Sequence, residues 1–599
     1  MSIRTVLILM LLWANPAMAA TINVNTFADE FGSGSACSLR EAVQSANTNA
    51  DFGGCTHTGG FGSDTITLGQ GFYTLSRGNF ASNTDIDEDD NAVIDIDIRS
   101  TITITGTSSA VASIGNTSGN YRGRILHVIS GAATINGVTL RDGNLPNGRA
   151  GAGLRSEPGT TVTLNNARVV GNEADGNAGG ILNRATMTLN NTRVDANQTN
   201  AATQGGGGIF NDDNAILHLN DSLVLDNLTT GSGASGNGAG IYNDVGASLT
   251  LDNTLVDGNI VDVRGSTGDG GGIFTAGNLT LMQSTIRNNI AAGTNARGGG
   301  IRCAGTDDLI IERSLIQGNQ AVANPDVFVD SPRGGGISSC NLTVRDTLIT
   351  GNLSKGSGGG LEDCLGRIER VTISSNIADG GPGGGISNST LELVNTTLAA
   401  NEAHGTLSNP GHGGGVDIVS GDSVRFDNVT VVSNTASASG GGISVVGGTA
   451  KLSHTVIAGN MQTGIGGNDD CAGSVQTLGR NLLQNSTGCT LSGAGSGTDL
   501  LNVNAQLDVL TPNGGAIVGT VATATQMPTR LPLSTSPLID AGNPAGCVDN
   551  LGQTLSVDQR GLPRIVDGPD PDSTAVCDIG AVEVQTVALP DPIFRNGFE

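Results

Sequence analysis

The chain has 599 residues and a formal net charge of −26, with 93 glycines and an aromatic content of 3%. This charge excludes nucleic acid as a partner, because nucleic-acid binding requires a basic stripe, and it argues against binding to anionic lipid surfaces. A conventional globular core also needs more large side chains than this chain offers.

The first 19 residues have the pattern of a secretory signal peptide. Arg4 precedes a short apolar run at 6–14, and Ala17-Met18-Ala19 fits a cleavage site with small residues. The run is too short to span a bilayer, and no later segment is apolar enough, so we expect no transmembrane span in the mature chain. The nine cysteines suit an oxidising compartment. We therefore expect a secreted or cell-surface protein.

Residues 20–130 are assigned to an N-terminal cap and the first coils of the fold. Ser38 and Glu41 form an S-x-x-E capping box, which predicts a short helix within residues 37–48. The apolar residues that share one face of this helix are Leu39, Ala42, Val43 and Ala46. Because a solenoid exposes an apolar cross-section at its end, we expect the helix to cover the first coil. A Cys37–Cys55 disulfide is predicted to pin the loop after it.

An acidic segment at residues 83–97 follows the predicted helix. Its alternating oxygen-bearing side chains have the spacing of a calcium loop, at Asp85, Asp87, Asp89 and Asn91. The glycine at the sixth place and the glutamate at the twelfth place of an EF-hand are missing, so the segment is not an EF-hand. These four residues are therefore the candidate Ca²⁺ ligands, and the alternative is a solvated acidic loop before a strand.

Residues 131–460 repeat one pattern, in which a glycine cluster and an aliphatic residue precede a twelve-residue segment that ends in Asn. Repeats of this length are typical of solenoids, and the two-residue alternation within each segment indicates strands. Stacked coils of such strands predict an all-β, right-handed parallel β-helix solenoid. The aliphatic residues of the eleven copies are Leu154, Ile181, Ile209, Ile241, Ile273, Ile301, Ile337, Leu361, Ile386, Val416 and Ile443.

The charges within the repeat predict the register of the coils. At three positions of the twelve-residue segment the sign of the charge alternates between consecutive copies. Stacking in register places opposite charges over one another, so we predict ion pairs between coils rather than catalytic groups. The Asn that ends each segment is expected to form a column of stacked side chains along the axis. The three charged sets are Arg367, Glu392 and Arg425; Glu312, Arg345 and Glu369; and Arg313, Asp346 and Arg370.

The remaining cysteines predict three further disulfides. Cys340 and Cys364 each lie three residues after the aliphatic residue in consecutive copies, whereas Cys303 lies two residues after it. We therefore predict a Cys340–Cys364 disulfide and a free Cys303. The other two pairs are predicted between sequence neighbours, Cys471–Cys489 and Cys547–Cys577.

Several segments carry a family resemblance. Residues 37–43, CSLREAV, resemble exported bacterial proteins named for their CSLREA region. The repeat resembles those of right-handed pectin-lyase-like β-helices and of polymorphic outer-membrane proteins. The distal part of the chain resembles the domain called choice-of-anchor Q, at residues 468–483, 536–542, 558–564 and 577–583. On this resemblance we assign residues 461–585 to distal coils and a C-terminal cap. The resemblance implies a secreted or surface β-helix and no particular reaction.

The last residues, 586–599, resemble short sorting tails of exported bacterial proteins. The alternative is a frayed terminus.

Enzymes of the pectin-lyase-like fold often act on acidic polysaccharides, so the resemblance makes a polysaccharide lyase or glycoside hydrolase the alternative function. The pattern of galacturonan hydrolases is incomplete, because Gly411-His412-Gly413 is present but no Arg-x-Lys exists and Asn83-Thr84-Asp85 precedes the repeats. A lyase needs a basic residue as the base and Ca²⁺ to neutralise the uronate. No catalytic residue is predicted.

The longest insertions between repeats, at 320–333 and 402–412, are expected on one side of the solenoid, where binding faces usually lie. Asp326, Asp330, His404 and His412 are therefore candidate ligand-binding residues, and the alternative is that they are ordinary loop residues. We interpret the protein as an adhesion or binding scaffold, or an envelope component. The expected partner is an extracellular glycan or a surface protein.

A third interpretation, ranked last, is an ice-binding face. It rests on a column of threonines that His218 and Ile310 interrupt. The threonines are Thr163, Thr188, Thr250, Thr280 and Thr343.

Overall fold

The computed structural model describes residues 19–78, 89–116, 122–200, 204–231, 236–263, 267–305, 307–323, 332–464, 470–569 and 574–585. The described chain is a solenoid in which successive coils contribute strands to three long, predominantly parallel sheets. The predicted parallel β-helix is therefore confirmed. The predicted tail and residues 1–18 of the predicted signal peptide lie outside these ranges.

The α-helix in the described residues, Leu39–Thr48, lies where the capping box predicts it. The Ser38 side chain accepts a hydrogen bond from the Glu41 backbone N–H at 3.2 Å. The Glu41 carboxylate accepts one from the Ser38 N–H, also at 3.2 Å. The apolar face of the helix joins the core of the first coils, so the helix covers an end of that core as expected. A single 3₁₀ turn, Ser496–Thr498, lies near the other end.

The largest sheet has 31 strands and consists of two ladders, which the strand Cys471–Gly479 joins. The leading ladder holds the strands that include the aliphatic residues of the repeat: Ile96–Ile98, Leu126–Val128, Leu154–Ser156, Ile181–Asn183, Ile209–Asn211, Ile241–Asn243, Ile273–Thr275, Ile301–Cys303, Ile337–Ser338, Leu361–Glu362, Ile386–Ser387, Val416–Val419 and Ile443–Val446. The main ladder holds the next strand of each coil: Ala19–Asn23, Gly60–Thr67, Thr101–Thr105, Ala132–Asn136, Thr161–Asn165, Thr186–Asn190, Ile216–Asn220, Ser248–Asp252, Asn278–Met282, Asp308–Glu312, Asn341–Arg345, Leu365–Glu369, Thr390–Val394, Ser423–Asp427, Thr449–Ser453 and Cys489–Ser492. His57–Thr58 pairs antiparallel with Ala19–Asn23.

The second sheet has 16 strands: Gly71–Thr74, Ala112–Gly115, Thr139–Arg141, Arg168–Val170, Arg193–Asp195, Leu223–Leu225, Leu255–Asp257, Thr285–Arg287, Leu315–Gln317, Leu348–Thr350, Thr372–Ser374, Thr397–Ala399, Thr430–Val432, Val456–Ala458, Leu482–Leu483 and Leu500–Leu501. The third sheet has 12: Asn144–Leu145, Glu173–Ala174, Gln198–Thr199, Leu228–Gly231, Ile260–Val263, Ile290–Ala292, Gln320–Val322, Leu353–Ser354, Ile377–Ala378, Glu402–Ala403, Thr435–Ala436 and Met461–Gln462. Two small sheets pair Gly236–Asn237 with Gly268–Asp269, and Thr511–Val518 with Thr525–Thr529.

The register of the main ladder agrees with the alternating charges. Arg345 pairs with Glu369 in the next coil, and Arg367 pairs with Glu392. Each of the three charged columns contains one ion pair between coils, which confirms the prediction for six of the nine side chains. The pairs are Arg345–Glu369 at 3.2 Å, Arg367–Glu392 at 2.8 Å and Arg370–Asp346 at 2.7 Å. Glu312 and Arg313 instead pair with each other, and Arg425 pairs with Asp427 of its own strand.

The predicted asparagine column runs through the buried interior. Each side-chain amide donates to the side-chain oxygen of the next, as Asn259 does to Asn289 at 2.9 Å. The last asparagine, Asn460, donates to a carboxylate oxygen of Asp470 at 2.9 Å, so a carboxylate ends the column. The column comprises Asn172, Asn197, Asn227, Asn259, Asn289, Asn319, Asn352, Asn376, Asn401, Asn434 and Asn460.

This column explains the last glycine of each cluster. A Cβ atom on Gly272 would lie 2.8 Å from the Gly300 carbonyl oxygen and 2.9 Å from the Asn289 amide nitrogen. Only glycine leaves room for the close approach of the neighbouring coil and the asparagine column. The aliphatic residue that follows each cluster is fully buried, which places the repeat's apolar residues in one continuous core.

The disulfides follow the prediction in three of the four bonds that the structure contains. Cys37–Cys55, Cys471–Cys489 and Cys547–Cys577 are present as predicted. The predicted Cys340–Cys364 bond is wrong, because Cys303 pairs with Cys340 across a Cα–Cα distance of 5.0 Å and Cys364 is the free cysteine. Ser339 and Asp363, each one residue before a cysteine, both adopt a left-handed backbone conformation with φ of 56°, so Cys340 and Cys364 hold equivalent positions and Cys340 has a cysteine in the coil on either side.

After the last coil the chain turns back along the flank of the rod. We call residues 503–585 the fold-back segment. Its Asn543 N–H donates to His454 at one end, and its Val521 N–H donates to Asn253 at the other. The two contacts lie in the first and the last of eight successive coils, so seven coil spacings, or about 34 Å, separate them along the axis. The hairpin Thr511–Val518 and Thr525–Thr529 buries apolar side chains against the second sheet.

Candidate functional site

A groove of about 420 Å³ lies on the outer face of the main ladder. Four consecutive strands form its floor: Leu365–Glu369, Thr390–Val394, Ser423–Asp427 and Thr449–Ser453. A loop of the fold-back segment forms one wall. Its volume falls in the range of small-ligand sites. The polar groups that line it include Thr390, Glu392, Ser423, Arg425, Lys451 and Asn550.

The floor of the groove brings two cations together. Arg425 and Lys451 occupy the same position on neighbouring strands and pair in register. The Arg425 Nε donates to the Asp427 carboxylate at 2.7 Å. Among the described residues, no ion pair or side-chain hydrogen bond involves the Lys451 amine, so it faces the groove with its charge unpaired. Like charges on neighbouring strands repel, and an anion between them would relieve that repulsion.

The wall is the loop at 547–554, which a disulfide and an ion pair fix in place. The Cys547–Cys577 disulfide anchors one end of the loop within the fold-back segment. The Arg367 guanidinium forms an ion pair with the Asp549 carboxylate at 3.0 Å, and the same side chain pairs with Glu392 at 2.8 Å. Arg367 is therefore neutralised by protein carboxylates, whereas Lys451 is not.

Burial shapes the acid–base chemistry at the edge of the groove. Desolvation raises the pKa of Asp427 to about 6, although Arg425 opposes this rise. The Asp427 side chain is fully buried beneath Arg425 and holds its guanidinium in place. The arrangement presents two cations above a carboxylate, which suits the binding of an anionic group better than proton abstraction by that carboxylate.

Another acidic pair lies outside the groove, on the leading ladder. Desolvation raises the pKa of Glu362 to about 7 and that of Asp417 to about 6. Ser387 lies between them in register, so their backbones are two strand spacings, or about 10 Å, apart. Both side chains are buried, with 2% of each residue exposed, so no sugar reaches them and the pair does not form a hydrolase site.

The predicted ligand-binding residues do not converge in the described chain. Asp326 and Asp330 lie outside the described residues. His404 is exposed and lies between Asp379, at 3.0 Å, and Glu402, at 2.9 Å; these carboxylates raise its pKa despite partial burial. The His412 ring nitrogen contacts the Ser439 hydroxyl at 2.8 Å, and burial lowers its pKa. No hydrogen bond joins the two histidines where the structure describes them. A shared binding site for the four residues stays a prediction.

The predicted calcium ligands are only partly described. Asp85 and Asp87 lie outside the described residues. The Asn91 side chain donates to the Arg40 carbonyl at 2.8 Å and accepts from the Asp97 N–H at 3.1 Å, so its amide supports the backbone. Asp89 is exposed and lies 3.7 Å from the ring of His127. Calcium binding by the four residues stays a prediction.

The threonine column is present in the main ladder, in register from Thr134 through Thr163 to Thr188. His218 and Ile310 interrupt it in the structure as in the sequence. Ice binding stays a prediction.

From the sequence, the charged side chains on the floor of the groove are predicted to form ion pairs, and the groove itself is not predicted. The available signal was Lys451, which is one of only two lysines in the chain and breaks the alternation of charge after Arg425. The wall carries no such signal, because Asp549 is separated from Arg367 by 182 residues and lies outside the repeat.

Among the described residues no helix is long and apolar enough to cross a membrane. Searches of protein-family models and of curated proteins found nothing that matches this chain, so no relative assigns a function to the groove.

Proposed function

We propose that the protein is an exported binding scaffold that holds an acidic glycan in the groove of the main ladder. The observation that carries this proposal is the in-register pair Arg425 and Lys451, which lines the groove with the lysine charge unpaired among the described residues. A uronate carboxylate supplies the anion that such a pair favours. The protein has a net charge of −26, so a local pair of cations also determines where an acidic glycan binds.

Export is part of the proposal. Four disulfides fit an extracellular protein, because thiols stay reduced in the cytosol. The signal-peptide pattern, the CSLREA-like residues 37–43 and the segments similar to choice-of-anchor Q support a secreted or cell-surface location. In this interpretation the rod carries the groove as an adhesion or envelope component.

The alternative is a polysaccharide lyase, and Lys451 is the observation that favours it. In its uncharged form the Lys451 amine would take the proton next to the carboxylate of a bound uronate, and the glycosidic oxygen would leave with the electrons of its bond to the sugar to complete the elimination. Arg425 would then neutralise the carboxylate. The two functions differ in whether bound glycan is cut.

The test compares Lys451→Gln with Lys355→Gln, which changes the chain's only other lysine. Lys355 forms an exposed ion pair with Asp379 at 2.7 Å, well outside the groove lining, so it is a matched control. Retention on immobilised polygalacturonate and on neutral dextran is measured at two salt concentrations. We expect K451Q to weaken polygalacturonate binding about fivefold, since a partly exposed charge pair contributes about 1 kcal/mol, and K355Q to leave it unchanged.

Equal binding by K451Q and the native protein would contradict the proposal, as would equal retention on dextran. The absorbance of unsaturated uronides is followed in the same samples. A signal that K451Q abolishes would replace the binding scaffold with the lyase.

A further inference from the structure

A second site lies at the N-terminal end of the rod, where Asp89, Asp97 and His127 bring three ligand atoms together. These atoms all lie within 4.8 Å of one another. Asp97 and His127 belong to neighbouring strands of the leading ladder, Ile96–Ile98 and Leu126–Val128, and pair in register. The His127 Nδ1 lies 3.5 Å from the Asp97 Oδ1 and 3.7 Å from the Asp89 Oδ1.

Two of these atoms are buried without a hydrogen-bond partner among the described residues. The Asp97 side chain has no exposed area, and its Oδ1 points into the cluster without a donor. The His127 ring is 6% exposed, and its Nδ1 also lacks a hydrogen bond. Leaving a buried carboxylate oxygen and a ring nitrogen unsatisfied is costly, so their convergence points to a ligand that satisfies both.

The other ring nitrogen of His127 has a fixed partner. Its Nε2 lies 3.0 Å from the Glu157 carboxylate, which Arg184 holds in turn at 2.9 Å. When the Nε2 proton is donated to Glu157, the lone pair is on Nδ1 and faces Asp97 and Asp89. A carboxylate behind a histidine in this way orients metal-binding imidazoles.

The segment that carries Asp89 is fixed close to the strands. The Asp97 Oδ2 accepts a hydrogen bond from the Asn91 N–H at 3.0 Å. The buried guanidinium of Arg40, from the N-terminal helix, donates to the carbonyls of Asn91 at 3.2 Å and Asp95 at 2.7 Å. The helix therefore holds this turn against the first coils before any ligand binds.

We propose that Asp89, Asp97 and His127 bind a divalent transition-metal ion such as Zn²⁺. One imidazole nitrogen and two carboxylate oxygens suit zinc, whereas calcium takes oxygen ligands only. With metal–ligand bonds of about 2.0–2.1 Å, ligand atoms of a tetrahedral site lie about 3.3–3.4 Å apart, close to the 3.5 Å and 3.7 Å that separate the His127 Nδ1 from the two carboxylate oxygens. The ion joins the acidic segment to the first two strands of the leading ladder and stabilises that end of the rod.

The proposal changes the predicted metal and most of its ligands. The sequence pattern placed calcium on Asp85, Asp87, Asp89 and Asn91, whereas this site shares only Asp89 with that set. Its independence from the groove means that glycan binding and metal binding are tested separately.

The test uses the full mature chain, stripped with chelator and then dialysed against metal-free buffer. Zn²⁺ and Ca²⁺ are titrated in separate calorimetric experiments, and the melting temperature is recorded with each ion. We expect one equivalent of Zn²⁺ to bind, to raise the melting temperature by several degrees, and to be displaced by chelator. Co²⁺ in place of Zn²⁺ reports the coordination geometry through its visible absorption.

Asp89→Asn is the main variant, because this side chain is 52% exposed and its loss leaves the fold intact. Asp90→Asn is the matched control on the adjacent residue, and His127→Gln and Asp97→Asn remove the buried ligands. We expect D89N to weaken Zn²⁺ binding at least tenfold, D90N to leave it unchanged, and H127Q and D97N to abolish it.

Three outcomes overturn the proposal. If no Zn²⁺ binds, His127 is held by its carboxylate neighbours as an ion pair alone. If D89N binds Zn²⁺ like the native chain, the metal lies elsewhere. If Ca²⁺ binds and H127Q leaves that binding intact, the site uses oxygen ligands only and the calcium prediction replaces this one.

Discussion

Arg367 in the rod and Asp549 in the fold-back segment form an ion pair at 3.0 Å, although 182 residues separate them in sequence. Asp549 is nearly buried, with 4% of its side chain exposed, and Arg367 is 26% exposed. The pair fixes the loop that forms the wall of the groove. Removing one partner therefore leaves the other poorly solvated, and the cost exceeds that of an exposed surface pair.

The first prediction concerns this contact. Asp549→Asn removes the charge but keeps a side-chain oxygen that can accept from the N–H groups of Leu551 and Gln553, as Asp549 does at 2.9 Å. We expect amide hydrogen exchange in residues 547–554 to become about tenfold faster, because the loop loses its attachment but keeps its turn. Mass spectrometry of peptides from this loop gives the measurement.

The control is Asp508→Asn, an exposed carboxylate of the same segment that forms no ion pair in the described structure. It should leave exchange in the loop unchanged. Unchanged exchange in D549N would mean that the Cys547–Cys577 disulfide alone holds the wall.

The second prediction concerns the asparagine column. Asn289→Ala removes an acceptor for the Asn259 side chain and a donor to Asn319 and to the Val256 carbonyl, all in the buried interior. We expect the free energy of unfolding to fall by about 2–4 kcal/mol, because several buried polar groups lose their partners at once. Chemical denaturation followed by circular dichroism measures the change.

The matched control is Asn278→Ala, which alters an exposed asparagine on the main ladder. We expect a change within about 0.5 kcal/mol, as for most surface substitutions. Similar losses in both variants would show that the column contributes nothing beyond a general preference for asparagine in this fold.

The sequence predicts those features of the fold that recur with the repeat. The asparagine column, the buried aliphatic residues and the ion pairs between coils recur once per coil, so stacking fixes their neighbours. The Cys340 prediction was wrong because Cys340 lies between cysteines in the coils on both sides, and equal spacing from the aliphatic residue does not decide which of the two it pairs with.

The groove and the three-ligand cluster follow no such rule. One wall of the groove comes from the fold-back segment, whose contacts with the rod have no period. The cluster joins Asp97 and His127, which are in register but 30 residues apart, with Asp89 from outside the strands. Sequence patterning found Asp89 through its acidic neighbours, but could not find a single histidine in the next coil.

The third prediction concerns the cysteines. Alkylation of the denatured, unreduced protein should label a single cysteine among those described, Cys364, because Cys303 and Cys340 are bonded. Cys303→Ala should lower the free energy of unfolding by about 2–4 kcal/mol, since the bond closes a loop with a sequence separation of 37 residues. Cys364→Ala removes a buried sulfur without breaking a bond and is the matched control. Label on Cys303 instead would support the Cys340–Cys364 bond.

The fourth prediction concerns acid and His454, which connects the rod to the fold-back segment. The His454 Nε2 accepts a hydrogen bond from the Asn543 N–H at 3.1 Å, and its Nδ1 contacts the Ser453 hydroxyl at 3.0 Å. Burial lowers the pKa of His454 from 6.5 to about 4, and the nearby charges of Arg564 and Arg480 act in the same direction. The ring is therefore neutral in the docked state at neutral pH.

The direction of the pH effect follows from this lowered pKa. A detached or unfolded chain binds a proton at His454 near pH 6.5, whereas the docked chain binds it only near pH 4. The contribution of His454 to docking is therefore complete above pH 6.5 and is lost as the pH falls toward 4, by about 3 kcal/mol at most. We therefore expect the native protein to lose more protection in residues 536–547 than His454→Gln does when the pH falls from 7.5 to 5, after correction of the amide exchange for intrinsic rates.

Two variants isolate the histidine from other groups that titrate. Burial raises the pKa of the carboxyls of Asp578 and Glu583 in the same segment, and such groups weaken docking as the pH rises instead. His454→Gln keeps an acceptor for the Asn543 N–H but cannot take up the proton, so we expect it to remove most of the acid sensitivity. His404→Gln changes an exposed histidine outside the fold-back segment, and we expect this variant to keep the acid sensitivity of the native protein. If H454Q and H404Q lose protection equally at pH 5, His454 does not govern docking, and the acid sensitivity of the fold-back segment has another source.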